Sequence, residues 1–139
     1  MQGAIHLRPF KSLDVIRRCE GIENYVIAGP KQQATSVKSG ITRMAPGTSV
    51  PLHSHNCEEV VTMLEGSLDI VLGNQSFKCG KYDSYFIGSN VPHEFSNQGE
   101  IDALLMIVYG SSTPSRTFLK TGQTVLVGDE NDVFDASKN

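Results

Sequence analysis

The chain has 139 residues and carries 39% hydrophobic and 19% charged residues, which suits one globular domain and excludes a disordered or fibrous chain. Its formal charge is −3, and the whole excess lies in residues 128–139, where Asp129, Glu130, Asp132 and Asp135 face only Lys138. Residues 1–127 are formally neutral without a Lys/Arg cluster, so neither nucleic acid nor an anionic membrane surface is an expected partner.

Met1 to Phe10 shows no secretory leader pattern, and no apolar run approaches the roughly 18–20 residues of a membrane helix. A cytoplasmic protein is the expectation. The three cysteines, Cys19, Cys57 and Cys79, lack zinc-site spacing and read as reduced, buried thiols.

In chain order, Ala4 to Leu7 reads as a short first strand and Ser12 to Glu20 as a helical turn or two, with Ser12 as N-cap. Strands are predicted over Tyr25 to Ala28 and Ser36 to Met44, separated by a loop at Lys31 to Gln33. Val50 to His55 and Glu59 to Leu64 follow, then Ser67 to Leu72 and Gln75 to Lys78, joined at Gly73-Asn74 with hairpin spacing. Ser84 to Ile87, His93 to Ser96, Ile101 to Tyr109, Arg116 to Leu119 and Thr124 to Val127 complete the inventory. Many short strands with little helix predict an all-β sandwich or barrel. It forms one domain over residues 1–127, with an acidic, mobile tail over 128–139.

The segment Gly47 to Gly66, GTSVPLHSHNCEEVVTMLEG, carries the chemistry. On an uninterrupted strand, residues an even number apart share a face, so His53, His55, Glu59, Val61 and Met63 would point the same way. Two imidazoles and a carboxylate on one face are ligand types for a first-row metal. The segment matches G-x5-H-x-H-x3-E-x6-G at Gly47, His53, His55, Glu59 and Gly66, the first motif of the cupins. The second, G-x5-P-x-G-x2-H-x3-N, is kept at His93 and Asn97. Tyr82, Gly88 and Asn90 stand where the family has Gly, Pro and Gly. Asn90 can adopt a left-handed conformation in place of that glycine, and Gly80 is expected to relieve the turn at Tyr82.

The sequence therefore resembles a small single-domain cupin. The resemblance implies a jelly-roll β-barrel of two antiparallel sheets with little helix. It also implies one divalent transition metal held by His53, His55, Glu59 and His93. Fe(II) or Mn(II) is favoured, with Ni(II), Zn(II), Cu(II) or Co(II) as alternatives. Glu59 is the candidate to detach as a catalytic base; Val61, Met63 and Phe95 are candidates to line a substrate pocket. Tyr85 and Asn97 are candidates to orient a ligand or substrate, Cys57 could approach the pocket, and Glu58 and Glu94 are expected to be solvated. Arg116 is expected at the surface or an interface, with the barrel mouth as the alternative. Without a basic pocket motif, a small neutral or aromatic-like substrate is expected, and with it a dioxygenase-like oxidoreductase. A Lewis-acid isomerase, lyase or decarboxylase is one alternative, and a non-catalytic small-molecule-binding or sensor barrel the other. A homodimer is expected, paired through the N-terminal segment and the strand over Ile101 to Tyr109.

Overall fold

In the computed structural model, which describes residues 4–134, alternation of apolar and polar side chains drives the architecture. The strands are β1 (Val15–Cys19), β2 (Ile22–Ala28), β3 (Lys38–Met44), β4 (Ser49–His55), β5 (Glu59–Glu65) and β6 (Leu68–Leu72). They continue as β7 (Gln75–Cys79), β8 (Ser84–Ile87), β9 (His93–Ser96), β10 (Ala103–Tyr109), β11 (Ser115–Phe118) and β12 (Thr124–Leu126). One six-stranded sheet has the order β1-β2-β3-β10-β5-β8 and the other β12-β11-β4-β9-β6-β7. Every pairing among these strands is antiparallel.

The inner faces follow period two. Ala103, Leu105, Ile107 and Tyr109 of β10 are buried, as are Val61 and Met63 of β5, Leu68 and Ile70 of β6, and Phe95 of β9. Together they form one core between the sheets, the expected jelly-roll barrel. Gly66 closes β5 at φ +74°, and a Cβ there would lie 2.7 Å from the Asp102 carbonyl oxygen, so this turn requires glycine.

Several expectations are corrected. Residues 4–7 form no strand, and Ile5 and Leu7 are exposed. Ser12 to Glu20 is not helical beyond one 3-10 turn at Phe10–Ser12. Ser12 Oγ donates to the Pro9 carbonyl instead of capping a helix. The β-branched pair Val15-Ile16 joins β1, where pairing with β2 overrides a weak helical pattern. Tyr82 and Asn90 both take left-handed backbone, at φ 70° and 65°, so Asn90 substitutes for the family glycine as expected. Gly80 does not take over for Tyr82, which adopts the unfavourable conformation itself.

β10 lies between β3 and β5, so it has no open edge for a dimer. The acidic end is not a tail from Gly128 onward: residues 128–134 pack against the barrel, and Asp132 is completely buried. Two arginines hold that carboxylate inside. Residues 135–139 of the expected tail lie outside the described residues.

Candidate metal centre

His53 and His55 enter the barrel from β4, and a bulge sets their phase. The β4–β9 register shifts between Val50 and His53, so both are buried although three residues apart. Pro51 has no N–H to contribute to a ladder, which suits an irregular position. His93, on β9, lies directly across from His53. Glu59 does not continue the β4 strand. The chain crosses from one sheet to the other through residues 56–58, so Glu59 faces the imidazoles from the opposite sheet. The crossing is pinned at both ends: Gly110 N donates to the Glu58 carbonyl at 2.9 Å, and Ser115 N to Asn56 Oδ1 at 2.8 Å.

Three buried histidines, His53, His55 and His93, offer ring nitrogens within 4.8 Å of one another. Each Nδ1 meets a backbone carbonyl: Pro51 at 2.6 Å, Ser115 at 2.9 Å and Val91 at 2.9 Å respectively. A carbonyl only accepts, so each Nδ1 carries a proton and Nε2 is the nitrogen left to face the interior. Burial pushes His53 well below the ordinary histidine range, with Arg116 and the neighbouring rings adding to the effect. Burial also lowers His93, although Glu59 pulls it back up. Both rings are therefore neutral.

Glu59 stands against two of these rings, with Oε2 3.0 Å from His55 Nε2 and Oε1 3.6 Å from His93 Nε2. His55 Nε2, His93 Nε2 and Glu59 Oε1 are buried without a hydrogen bond. Burial works to raise the Glu59 carboxyl, but His55, His93 and Arg116 outweigh it and hold it below its ordinary value. Ring nitrogens and a carboxylate thus converge in one buried space. A buried polar cluster with unsatisfied atoms is costly alone and fits a cation with nitrogen and oxygen ligands. The carbonyls at Nδ1 orient the rings for it.

Around this centre the structure departs from the sequence reading. Arg116 is neither a surface nor an interface residue: it is the cross-strand neighbour of His55 and is buried. Arg18, Tyr109 and Asp132 accompany it, and none of the three was a candidate from the sequence. A cavity of about 20 Å³ is lined by His53, Glu59, Phe95, Tyr109, Arg18 and Arg116, among others. Of the expected pocket residues only Phe95 faces it; Val61 and Met63 are completely buried in the core. A second cavity of about 330 Å³ opens beside β6, β7 and β8 and includes Tyr85, but none of the four expected ligands lines it.

Asn97 does not serve the centre. It donates to the Met44 and Ile101 carbonyls and accepts from Gly99 N, bracing backbone instead. Tyr85 keeps a buried hydroxyl without a partner, pushed well above the ordinary tyrosine range by burial and by Glu59. Cys57 is buried in the core, and burial and Glu59 raise its thiol, so it is not a poised nucleophile. Glu58 is exposed and Glu94 half-buried.

The fold and the inward-facing histidines define a metal-binding barrel class, and comparison with known proteins places the chain within it. The Cupin domain model matches residues 40–109, half of the chain, so this protein belongs to the cupins. It is 28% identical to auxin-binding protein 4 of Zea mays over 110 residues, 72% of this chain and 54% of that protein. The chain thus spans about half the length of that curated relative. Among solved structures, an RmlC-like cupin of Shewanella frigidimarina superimposes with a TM-score of 0.69 at 14% identity, covering 80% of this chain and 95% of the other. The oxalate decarboxylase of Lactobacillus farciminis, in a formate complex, gives 0.72 at 19% identity over 80% of this chain and 35% of that one. Among the described residues no helix is long and apolar enough to cross a membrane.

Proposed function

We propose that His53, His55, Glu59 and His93 hold one divalent transition metal, Mn(II) or Fe(II) foremost, and that the centre takes a small carboxylate-bearing organic molecule. The observation that carries this reading is the set of three carbonyl-locked imidazoles, with His55 Nε2, His93 Nε2 and Glu59 Oε1 buried without a hydrogen bond. A divalent ion there supplies Lewis-acid polarisation of a ligand oxygen and, if redox-active, one-electron chemistry with dioxygen. The chain's own groups do the rest. Glu59, held ionised, is placed to accept a proton at Oε1. Arg116 supplies positive charge beside His55, and Phe95 closes the wall with its ring 6.1 Å from that of His53.

The expectation of a neutral or aromatic-like substrate, and with it the preference for a dioxygenase-like oxidoreductase, rested on the lack of a basic pocket motif. Arg18 and Arg116 at the cavity remove that basis. A carboxylate ligand with Lewis-acid chemistry, of the decarboxylase or lyase kind, becomes the leading reading. The curated relative named for binding auxin and the fold neighbour seen with formate are consistent with a small ligand of this class.

The test is metal content after purification without chelators, alongside His93→Ala. About one ion per folded wild-type chain, absent from the variant, supports the site. Equal metal in both removes it. Oxygen uptake with candidate carboxylates then separates redox from Lewis-acid turnover, and binding without turnover identifies a sensor barrel. A cytoplasmic homodimer remains part of the proposal, with pairing moved to the β8 edge, where the exposed cross-strand neighbours Val60 and Phe86 form an apolar rim.

A further inference from the structure

Arg18, Arg116 and Asp132 are not needed to hold a metal, yet all three are buried, at 4%, 7% and 0% exposure. Burying charges is costly unless they are well paired, and this cluster is paired incompletely. Arg18 comes from β1 in one sheet and Arg116 from β11 in the other. The Asp132 carboxylate sits between them, one oxygen to each: Oδ2 lies 3.3 Å from Arg18 Nη1 and Oδ1 3.5 Å from Arg116 Nε. Arg116 Nε and Asp132 Oδ1 are nevertheless both without a hydrogen bond. Two guanidiniums share one carboxylate, and a third cation, Lys38, donates to the Val127 carbonyl just before the same segment.

The segment that delivers Asp132 is lightly attached. Residues 128–134 contain no strand or helix. Gly128 N on Asp132 Oδ2 at 3.1 Å ties the segment to itself, and its hydrogen bonds to the barrel include Arg18 Nη1 on the Asp132 carbonyl at 3.2 Å and a long bond of 3.4 Å from Phe134 N to the Arg18 carbonyl. The Phe134 ring covers Arg116 at 6.0 Å and lies 6.0 Å from Phe118. Phe134, both arginines, His53 and Glu59 line one cavity of about 20 Å³, room for about one water. An organic ligand can reach the histidines from this side only if the Asp132–Phe134 segment withdraws. Guanidinium forks recognise the two oxygens of a carboxylate.

We propose that Arg18 and Arg116 form a carboxylate-binding subsite of the centre, and that Asp132 fills it as an internal stand-in which a small carboxylate ligand displaces together with Phe134. The inference deepens the proposed function and rests on it for the ligand class. In this arrangement the apparent affinity for a carboxylate is reduced by the fraction of molecules in which Asp132 is in place. The closed segment therefore selects for ligands that engage both the arginines and the centre.

Acetate, chemically the side chain of aspartate, is the probe. Full-length chain incubated with Zn(II) is titrated with acetate at constant ionic strength held by chloride, in wild type, Asp132→Ala and Arg116→Gln. Three quantities are read on the same samples: acetate affinity by calorimetry, backbone hydrogen exchange over 128–134, and zinc per chain. Acetate is expected to bind Asp132→Ala at least tenfold more tightly than wild type. It should accelerate exchange over 128–134 in wild type at least fivefold, and Arg116→Gln should abolish both effects. Equal acetate affinity in wild type and Asp132→Ala, or unchanged exchange over 128–134, overturns the proposal. If Asp132→Ala does not fold, Asp132→Asn, which keeps the shape and loses the charge, gives the same comparison. Zinc content separates the two readings. A chain that takes up no zinc refutes the metal centre, while the acetate comparison on that metal-free chain still decides the subsite.

Discussion

Replacing Asn97 by Ala separates a bracing role from a role at the metal centre. The Asn97 side chain is completely buried and makes three hydrogen bonds of 2.9 Å: Nδ2 to the Met44 carbonyl, Nδ2 to the Ile101 carbonyl, and Oδ1 from Gly99 N. The first bond is buried and the other two are part-buried. Orphaning a buried carbonyl costs about 1–3 kcal/mol. The part-buried partners regain some solvation and lose roughly 0.5–1 kcal/mol each. The loss should therefore total about 2–5 kcal/mol, a large share of the ~5–15 kcal/mol that stabilises a typical domain. Urea denaturation followed by circular dichroism measures it as a lowered midpoint at unchanged slope, and metal per folded chain should not change. A loss below about 1 kcal/mol would refute the bracing argument. A folded, stable variant with reduced metal would show instead that Asn97 orients a ligand.

Three further outcomes follow from the same geometry. Tyr82→Gly should stabilise the fold by about 0.5–1 kcal/mol, because relief of the left-handed backbone outweighs the entropy of the added glycine; thermal melts showing destabilisation would contradict this. His55→Ala should lose the metal yet stay folded in circular dichroism, at a cost of about 1–3 kcal/mol for the cavity and the unpaired Ser115 carbonyl. Full metal content in that variant removes His55 from the ligand set. Phe86→Lys should convert a homodimer to a monomer in light scattering, and a monomeric wild type would dispose of the β8 pairing.

What the sequence made legible was local. The two histidines and the glutamate stand at fixed offsets, and alternation along short strands predicted most elements. The reasoning that joined His55 to Glu59 along one strand failed because the chain changes sheets between them. The residues still share the interior, since both strands turn their buried faces to the same core. β1 was misread because five residues of mixed polarity give no decisive period, and pairing with β2 decided the matter. Asp132 was the least legible. It lies in an acidic run that reads as solvated, and its partner Arg18 is 114 residues away. No local pattern reports a contact of that separation.

Charge connects these late findings to the centre. Arg18 and Arg116 carry two positive charges into the barrel, and Asp132 and Glu59 carry two negative ones, so the interior balances formally without a metal. A divalent ion at the histidines would add two positive charges to a region sealed from water, where charges are poorly screened. Glu59, as a ligand, offsets part of that field at the ion, but nothing else in the cavity does. The loaded barrel therefore favours an anionic ligand, and the most favourable position for its carboxylate is between the ion and Arg116. If Asp132 withdraws in the same step, the arginines lose their internal partner and the demand for an external anion increases. Metal loading should thus strengthen acetate binding in Asp132→Ala relative to the metal-free form of the same variant, a comparison that ion-free calorimetry on chelated protein makes directly. Equal affinity in the two forms would mean that the arginine pair and the centre act independently.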